Sequence, residues 1–188
     1  WADASGNGNN GTAYNGATFS TSARVGSHAG SFDGVDDYIR VKTSALAANS
    51  AQNSVEAWIY LTAIGTATKT IYAENSSAGV VFSLGVASTG KPFFAVWRSD
   101  VSGNWLTAES SSPVSINQWC HVVGTLDGNG MKIYVNGSLS GMHTNTSPSN
   151  GTITEASIGR INNLGGADFL AGKIDELIVY KRALSAEE

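Results

Sequence analysis

The sequence predicts an all-β fold, two antiparallel sheets stacked as a sandwich, and three observations predict it. The first is composition. Glycine is 22 of 188 residues and charged side chains only 14%, with Ser, Thr and Asn abundant, which suits turns between short strands and leaves too little Glu, Lys, Leu and Ala for helices. The second is spacing: apolar runs recur about every ten residues between Ser/Gly/Asn clusters, as in a sandwich. The third is the stretch 119–137, which reads as a hairpin. Residues 122–126 and 131–135 are β-rich arms, and Asp127-Gly128-Asn129-Gly130 supplies the positive-φ positions of a tight reversal. Met131, Ile133 and Val135 alternate with Lys132, Tyr134 and Asn136, the period of two that marks a two-faced strand. Asn136-Gly137 adds a second reversal, so the neighbouring strands are antiparallel.

Residues 1–16, rich in Gly and Asn, have no periodicity and read as a loop, either a cradle for a cation or a plain connector. Phe19, Ala23 and Val25 lead into a strand, turn and strand over 30–41, where Asp33, Asp36 and Asp37 offer hard oxygen ligands or are solvated turn residues. Residues 45–51 fit one helical turn. Residues 53–61 alternate, Val55, Ala57, Ile59 and Leu61 against Glu56, Trp58 and Tyr60, and bulk on both faces predicts a central strand. Residues 70–73, 80–86 and 92–98 are further strands, and 105–109 and 114–116 shorter pieces. After the hairpin, 140–152 reads as a polar loop, 153–161 as a strand and 162–168 as a loop. The last strand, 173–180, is interrupted by Asp175 and Glu176, and 181–188 reads as a terminal helical turn. The total is about twelve strands in two sheets.

A chain of 188 residues suits one such domain over 1–188, burying about 70% of its unfolded surface. The net charge of −4 and scattered single Lys and Arg residues exclude an electrostatic surface for nucleic acid or anionic membrane. The single cysteine, Cys120, forms no intramolecular disulfide and is expected as a buried thiol in a strand. No apolar run reaches the roughly 18 residues of a membrane span, and no signal peptide is present. A start at Trp1 reads as a piece of a longer protein.

Asp3-Ala-Ser-Gly-Asn-Gly-Asn-Asn-Gly-Thr12, Phe32-Asp-Gly with Asp37-Tyr-Ile, Val55-Glu-Ala-Trp-Ile59, Trp119-Cys-His-Val-Val123, Lys132-Ile-Tyr-Val-Asn-Gly137, Ile158-Gly-Arg160 and Gly172-Lys-Ile-Asp-Glu-Leu-Ile-Val-Tyr180 with Arg182-Ala-Leu-Ser185 occur in that order. Together they resemble the successive motifs of the laminin G-like, concanavalin A-like jelly-roll family of bacterial secreted proteins. The resemblance covers nearly the whole chain. It implies a jelly roll, a secreted or cell-surface location, and Trp58 and Trp119 at core positions. The family pattern has one more strand before the first loop, and the sequence starts too late to contain it: either that strand is cut off or the boundary is atypical.

That fold hosts lectins, carbohydrate-binding modules, adhesion modules, hydrolases and lyases, so function must come from the site. Retaining glycosidases of this type need two carboxylates about 5 Å apart on one strand face. No such spacing occurs: Asp175 and Glu176 are adjacent, on opposite faces, and Glu56 is alone on its strand. A lyase constellation is equally missing, since His28, His121 and His143 are dispersed. The expectation is a non-catalytic carbohydrate-binding or adhesion module of a larger secreted protein. The alternative is a protein-interaction or structural domain, with an enzyme third.

Sugar rings stack apolar C–H faces on Trp and Tyr, while amides and Arg hydrogen-bond hydroxyls. Tyr72, Trp97, Arg98 and Trp105 are therefore the candidate glycan contacts, with Asn75 and Asn104 nearby in sequence. The resemblance also implies one structural calcium where the first loop, the Phe-Asp-Gly turn and the last strand meet. Asp3, Asp33 and Asp175 would supply carboxylates, and carbonyls near Asn7 would complete roughly six to eight oxygens. Asp175 interrupts an apolar strand, and a buried charge is expensive unless bound or hydrogen-bonded. Either calcium or hydrogen bonds would satisfy it. The implied partners are a polysaccharide or a protein.

Overall fold

The described residues form fourteen strands, most of them on period-two patterning, and no helix. The computed structural model describes residues 1–41, 49–76, 79–103, 105–161 and 168–188. The strands are β1 (Gly11–Tyr14), β2 (Thr18–Ser20), β3 (Ala29–Asp33), β4 (Tyr38–Val41), β5 (Asn53–Leu61), β6 (Lys69–Ser76), β7 (Gly79–Val86), β8 (Pro92–Trp97), β9 (Trp105–Glu109), β10 (Trp119–Asp127), β11 (Gly130–Val135), β12 (Ser138–His143), β13 (Ile153–Ile158) and β14 (Ala171–Tyr180). Sheet one runs β1-β4-β13-β6-β7-β8-β9 and sheet two β12-β11-β10-β5-β14-β3-β2, seven strands each. All pairings are antiparallel, and the chain passes repeatedly between the sheets, as a jelly roll requires.

The predicted hairpin is β10–β11, with Leu126 opposite Met131 and Asp127 opposite Gly130. β5 lies at the centre of sheet two, as its two bulky faces predict, between β10 and β14. Val55, Ala57, Ile59 and Leu61 face Phe82, Leu84, Phe94 and Val96 of sheet one, all essentially excluded from water. Phe94 meets Phe82 edge to face at 5.2 Å, and a Cβ at Gly124 would collide with the Phe94 ring, so only glycine fits there. Cys120 is buried, as expected.

The two open sides of the sandwich close differently. On one side β9 and β12 meet, with Ser110 and Ser140 hydroxyls 2.7 Å apart and Ser111 N–H donating to the Ser140 carbonyl at 2.8 Å. On the other, Trp1 stacks on Phe19 at 4.3 Å, its amino group donates to the Gly11 carbonyl, and Gly11 N–H donates back to the Trp1 carbonyl.

Several expectations need correction. The loop assigned to 1–16 contains β1, and the polar loop assigned to 140–152 begins inside β12. Both are edge strands with mostly exposed or half-exposed side chains, so they carry no apolar alternation. A bulge at Ile133/Tyr134 also breaks the register of β12. Residues 114–116 are no strand; Val114 N–H instead donates to the Gly90 carbonyl. Residues 181–188 are no helix; Leu184 N–H donates to Ser54 Oγ and Arg182 pairs with Glu188. Of the helical turn expected at 45–51, residues 45–48 lie outside the described residues, and 49–51 are turn and bend. Trp58 and Trp119 lie on the outer face of sheet two, half-buried, and not in the core. There Trp58 meets His121 at 5.0 Å and Tyr60 meets Trp119 at 5.6 Å, with Arg24 over Trp58 and Lys173 over Tyr60.

Candidate functional site

β8 ends at Trp97 and β9 begins at Trp105, and the two stand directly opposite each other. Alternation puts Phe94 and Val96 in the core, so the two tryptophans point to the outer face of sheet one. Trp97 is half-buried against the core edge, while Trp105 is 45% exposed. The chain leaving Trp97 is then clipped to the segment that precedes β13. Arg98 donates from Nε and Nη2 to the two oxygens of Asp100 at 3.0 and 2.6 Å, and from Nη1 to the Pro148 carbonyl at 2.7 Å. Asn150 Oδ1 accepts from Ser99 N–H at 3.0 Å, and its Nδ2 lies 3.2 Å from both Ser99 Oγ and Asp100 Oδ1.

Beside this clip opens a cleft of about 480 Å³ lined by Asn49, Ser50, Asn150, Gly151, Thr152 and Ile153. Asn49 Nδ2 donates to the Gly151 carbonyl at 3.1 Å and joins the two walls. The lining brings the entry to β5 against the entry to β13. A broad aromatic face, a polar cleft and a rigid hinge between them therefore share one end of the sandwich. Such a combination holds a molecule with apolar ring faces and a hydroxyl rim.

Of the four predicted glycan contacts, Trp97, Arg98 and Trp105 fall at this end. Tyr72 does not belong with them. It is 1% exposed, packed edge to face on Phe82, and its hydroxyl donates to Glu74 at 3.0 Å in the core. Burial and the Glu74 carboxylate push its phenol well above the usual range. Tyr72 is a candidate in the sequence only as an aromatic that could stack on a sugar, and its residue type does not reveal that the strand buries it; the register shifts at Thr70/Tyr72. Asn75 is buried with Nδ2 donating to Ser157, and Asn104 lies outside the described residues. Sequence reasoning misses the lining residues Asn49, Ser50, Asn150 and Thr152. Their only sequence signal is a run of turn-forming polar residues.

The residues expected to share calcium are not brought together as a carboxylate cage. Asp33 stands opposite Ala171, and Asp175 lies four residues further along β14, roughly 13 Å away at strand rise. Asp175, 7% exposed, accepts from Arg24 N–H at 2.8 Å, Val25 N–H at 2.9 Å and Glu176 N–H at 3.0 Å. Asp3 accepts from Ser5 and Asn9 amides and from Ser5 Oγ, all within its own loop, and Asn7 bonds Ser5. These bonds hold the Asp3 carboxyl below its ordinary value. Asp33, Asp36 and Asp37, offered by the sequence as hard oxygen ligands, do come together, with oxygens within 4.8 Å of one another. Val35 N–H, the largest effect, and Asp36 N–H lower the Asp33 carboxyl, while burial raises that of Asp37. The predicted set of Asp3, Asn7, Asp33 and Asp175 does not fit one ion through its side chains.

One further cluster lies on the outer face of sheet two. Glu56 accepts from the Tyr180 hydroxyl at 2.6 Å, and His121 Nε2 stands 3.1 Å from its other oxygen. Burial, then the Glu56 bond, push the Tyr180 phenol up to about 12.

Residues 33–188 match the laminin G-type family described as the concanavalin A-like lectin/glucanases superfamily. The chain belongs to this family. No curated protein matches its sequence. Among solved structures it is similar to domain 4 of an extracellular GH43 arabinanase from Geobacillus stearothermophilus, in complex with arabinotriose. That match has 21% identity and a TM-score of 0.78, over 99% of this chain and 89% of that one. It is also similar to the receptor-binding domain of botulinum neurotoxin C/D mosaic serotype, at 17% identity and a TM-score of 0.75 over 99% of this chain. The binding domain of botulinum neurotoxin DC in complex with SialylT matches at 16% and 0.72. This laminin G-type chain spans 46% of each toxin chain, less than half. At these identities the likeness shows the jelly-roll fold.

Proposed function

We propose that this laminin G-type sandwich is a non-catalytic carbohydrate-binding module of a larger protein acting outside the cell. The observation that carries the reading is the 45% exposure of Trp105, opposite Trp97 and tied through residues 98–100 to an amide- and hydroxyl-lined cleft. An indole that large is kept partly wet where a ring stacks on it, and the adjacent Asn, Ser and Thr groups suit sugar hydroxyls. The arabinotriose held by the arabinanase domain of the same fold supports this class of ligand. Glu56 is given no part in bond cleavage, because its oxygens are taken by Tyr180 and His121 on the other sheet.

Affinity electrophoresis through gels containing soluble polysaccharides tests the reading. At least one polysaccharide should retard the native protein. Trp105→Ala should weaken that retardation about tenfold, a loss of about 1.4 kcal/mol, with an unchanged melt. No retardation by any polysaccharide, or full retardation of Trp105→Ala, would remove the proposal. A protein-interaction role has one observation in its favour, the exposed Leu139 and Met142 on β12, at 51% and 67%. A protein partner competing with sugar for neither tryptophan would mark that face.

A further inference from the structure

The charges beside the cleft neutralise each other, and this has a bearing on what kind of sugar fits. Resting on the carbohydrate reading above, we infer that the cleft takes a neutral oligosaccharide, and that Arg98, Asp100 and Asn150 position its wall without serving as an anion hook. A site for a uronate, sialyl or sulfate group needs a cation with donors directed at the ligand. Among the described residues, Arg98 is the cation whose side chain is bonded to the segment that forms a wall of the cleft. All three of its guanidinium nitrogens are engaged, two in a fork with the Asp100 carboxylate and one on the Pro148 carbonyl. A bidentate guanidinium–carboxylate pair is strong and directional and neutralises the guanidinium charge, so an anion gains little from Arg98 while the pair stands.

The pair also fixes the wall. Asp100 Oδ1 lies within bonding distance of Asn150 Nδ2, and Asn150 Oδ1 takes Ser99 N–H, so the fork and the amide lock residues 98–100 onto residues 148–151. Asn150 is thereby occupied, and the groups left to meet a ligand are uncharged. The Ser50 and Thr152 hydroxyls make no hydrogen bond among the described residues, and Asn49 donates only from its Nδ2. Asp100 itself stays more than half exposed at the rim, with its carboxyl held below the usual range by Arg98, so the fork presents no net positive charge to an incoming anion. The net charge of −4 acts in the same direction at longer range.

The test pairs neutral polymers (arabinan, galactan, xylan) with carboxylated ones (polygalacturonate, alginate), each titrated by calorimetry at low and high salt. A neutral polymer should bind with affinity changing less than about twofold with salt, since no ion pair is made. The carboxylated polymers should not bind. Asp100→Ala should weaken neutral binding several-fold and, by releasing Arg98, switch on salt-sensitive binding of polygalacturonate. Loss of a purely structural contact would not produce that switch. Asn150→Ala should weaken neutral binding without the switch, and serves if Asp100→Ala melts early. Preference of the native protein for polygalacturonate, falling steeply with salt, would overturn the inference and leave the carbohydrate function standing. Absence of binding to every polymer would remove the functional reading and this inference with it.

Discussion

Cys120 and Tyr180 show what burial does to single side chains and where it can be measured. Burial raises the Cys120 thiol from an ordinary 9.0 to about 11, and burial with the Glu56 bond raises Tyr180 from 10.0 to about 12. Both are acids whose neutral form the fold prefers. Their contribution to stability is complete below the unfolded values and is lost as pH climbs through the folded ones. The melting temperature should therefore fall between about pH 9 and 12, and Cys120→Ala with Tyr180→Phe should flatten that fall. A native protein whose melt is level to pH 12, or a double variant with the same slope, would contradict the assignment. At pH 8 the thiolate fraction is on the order of one in a thousand, so a thiol reagent should label Cys120 only after unfolding.

At the scale of elements, β14 shows how a charge is accommodated inside a strand. Asp175 sits where the ladder with β5 breaks, Glu176 adopts φ 46°, and the freed carboxylate reaches across to the backbone of residues 24–25. The charge anchors a loop that would otherwise have no partner for its amides. Asp175→Ala leaves those amides and the cavity uncompensated and should cost about 2–3 kcal/mol by denaturant titration; a loss below about 0.5 kcal/mol would show that water replaces the carboxylate there. Elements are legible in the sequence to the extent that their signals are local. The β10–β11 hairpin carries its turn and its alternation within 19 residues, so the local pattern alone defines both arms and the reversal between them. β1, β2 and β12 lack such a signal, since edge strands take register from a neighbour and keep wet side chains on both faces. Trp97, Arg98 and Trp105 are identifiable as polar and aromatic groups at strand ends, whereas aromatic type alone does not show that Tyr72 is packed on Phe82 in the core.

At the scale of the molecule, the cleft is illegible in the sequence for a topological reason. Its walls come from residues 49–50 and 150–153, a hundred positions apart, and only the crossing of chain between the sheets at one end brings them together. The same topology sets Asp33 and Asp175 roughly 13 Å apart along β14. The melting temperature should accordingly be the same with excess chelator and with added calcium. A rise with calcium would place an ion among other oxygens, those of Asp33, Asp36 and Asp37 above all. The binding reading rests on one end of the sandwich and not on its other aromatic face, where cations already lie over Trp58 and Tyr60. An amide-resonance titration with a neutral oligosaccharide separates the two. Shifts confined to residues 97–105 and 149–153, with the Trp105 indole resonance moving furthest, are the expected result. Shifts centred on Trp58, Tyr60 and Trp119, or none with any oligosaccharide, would contradict it.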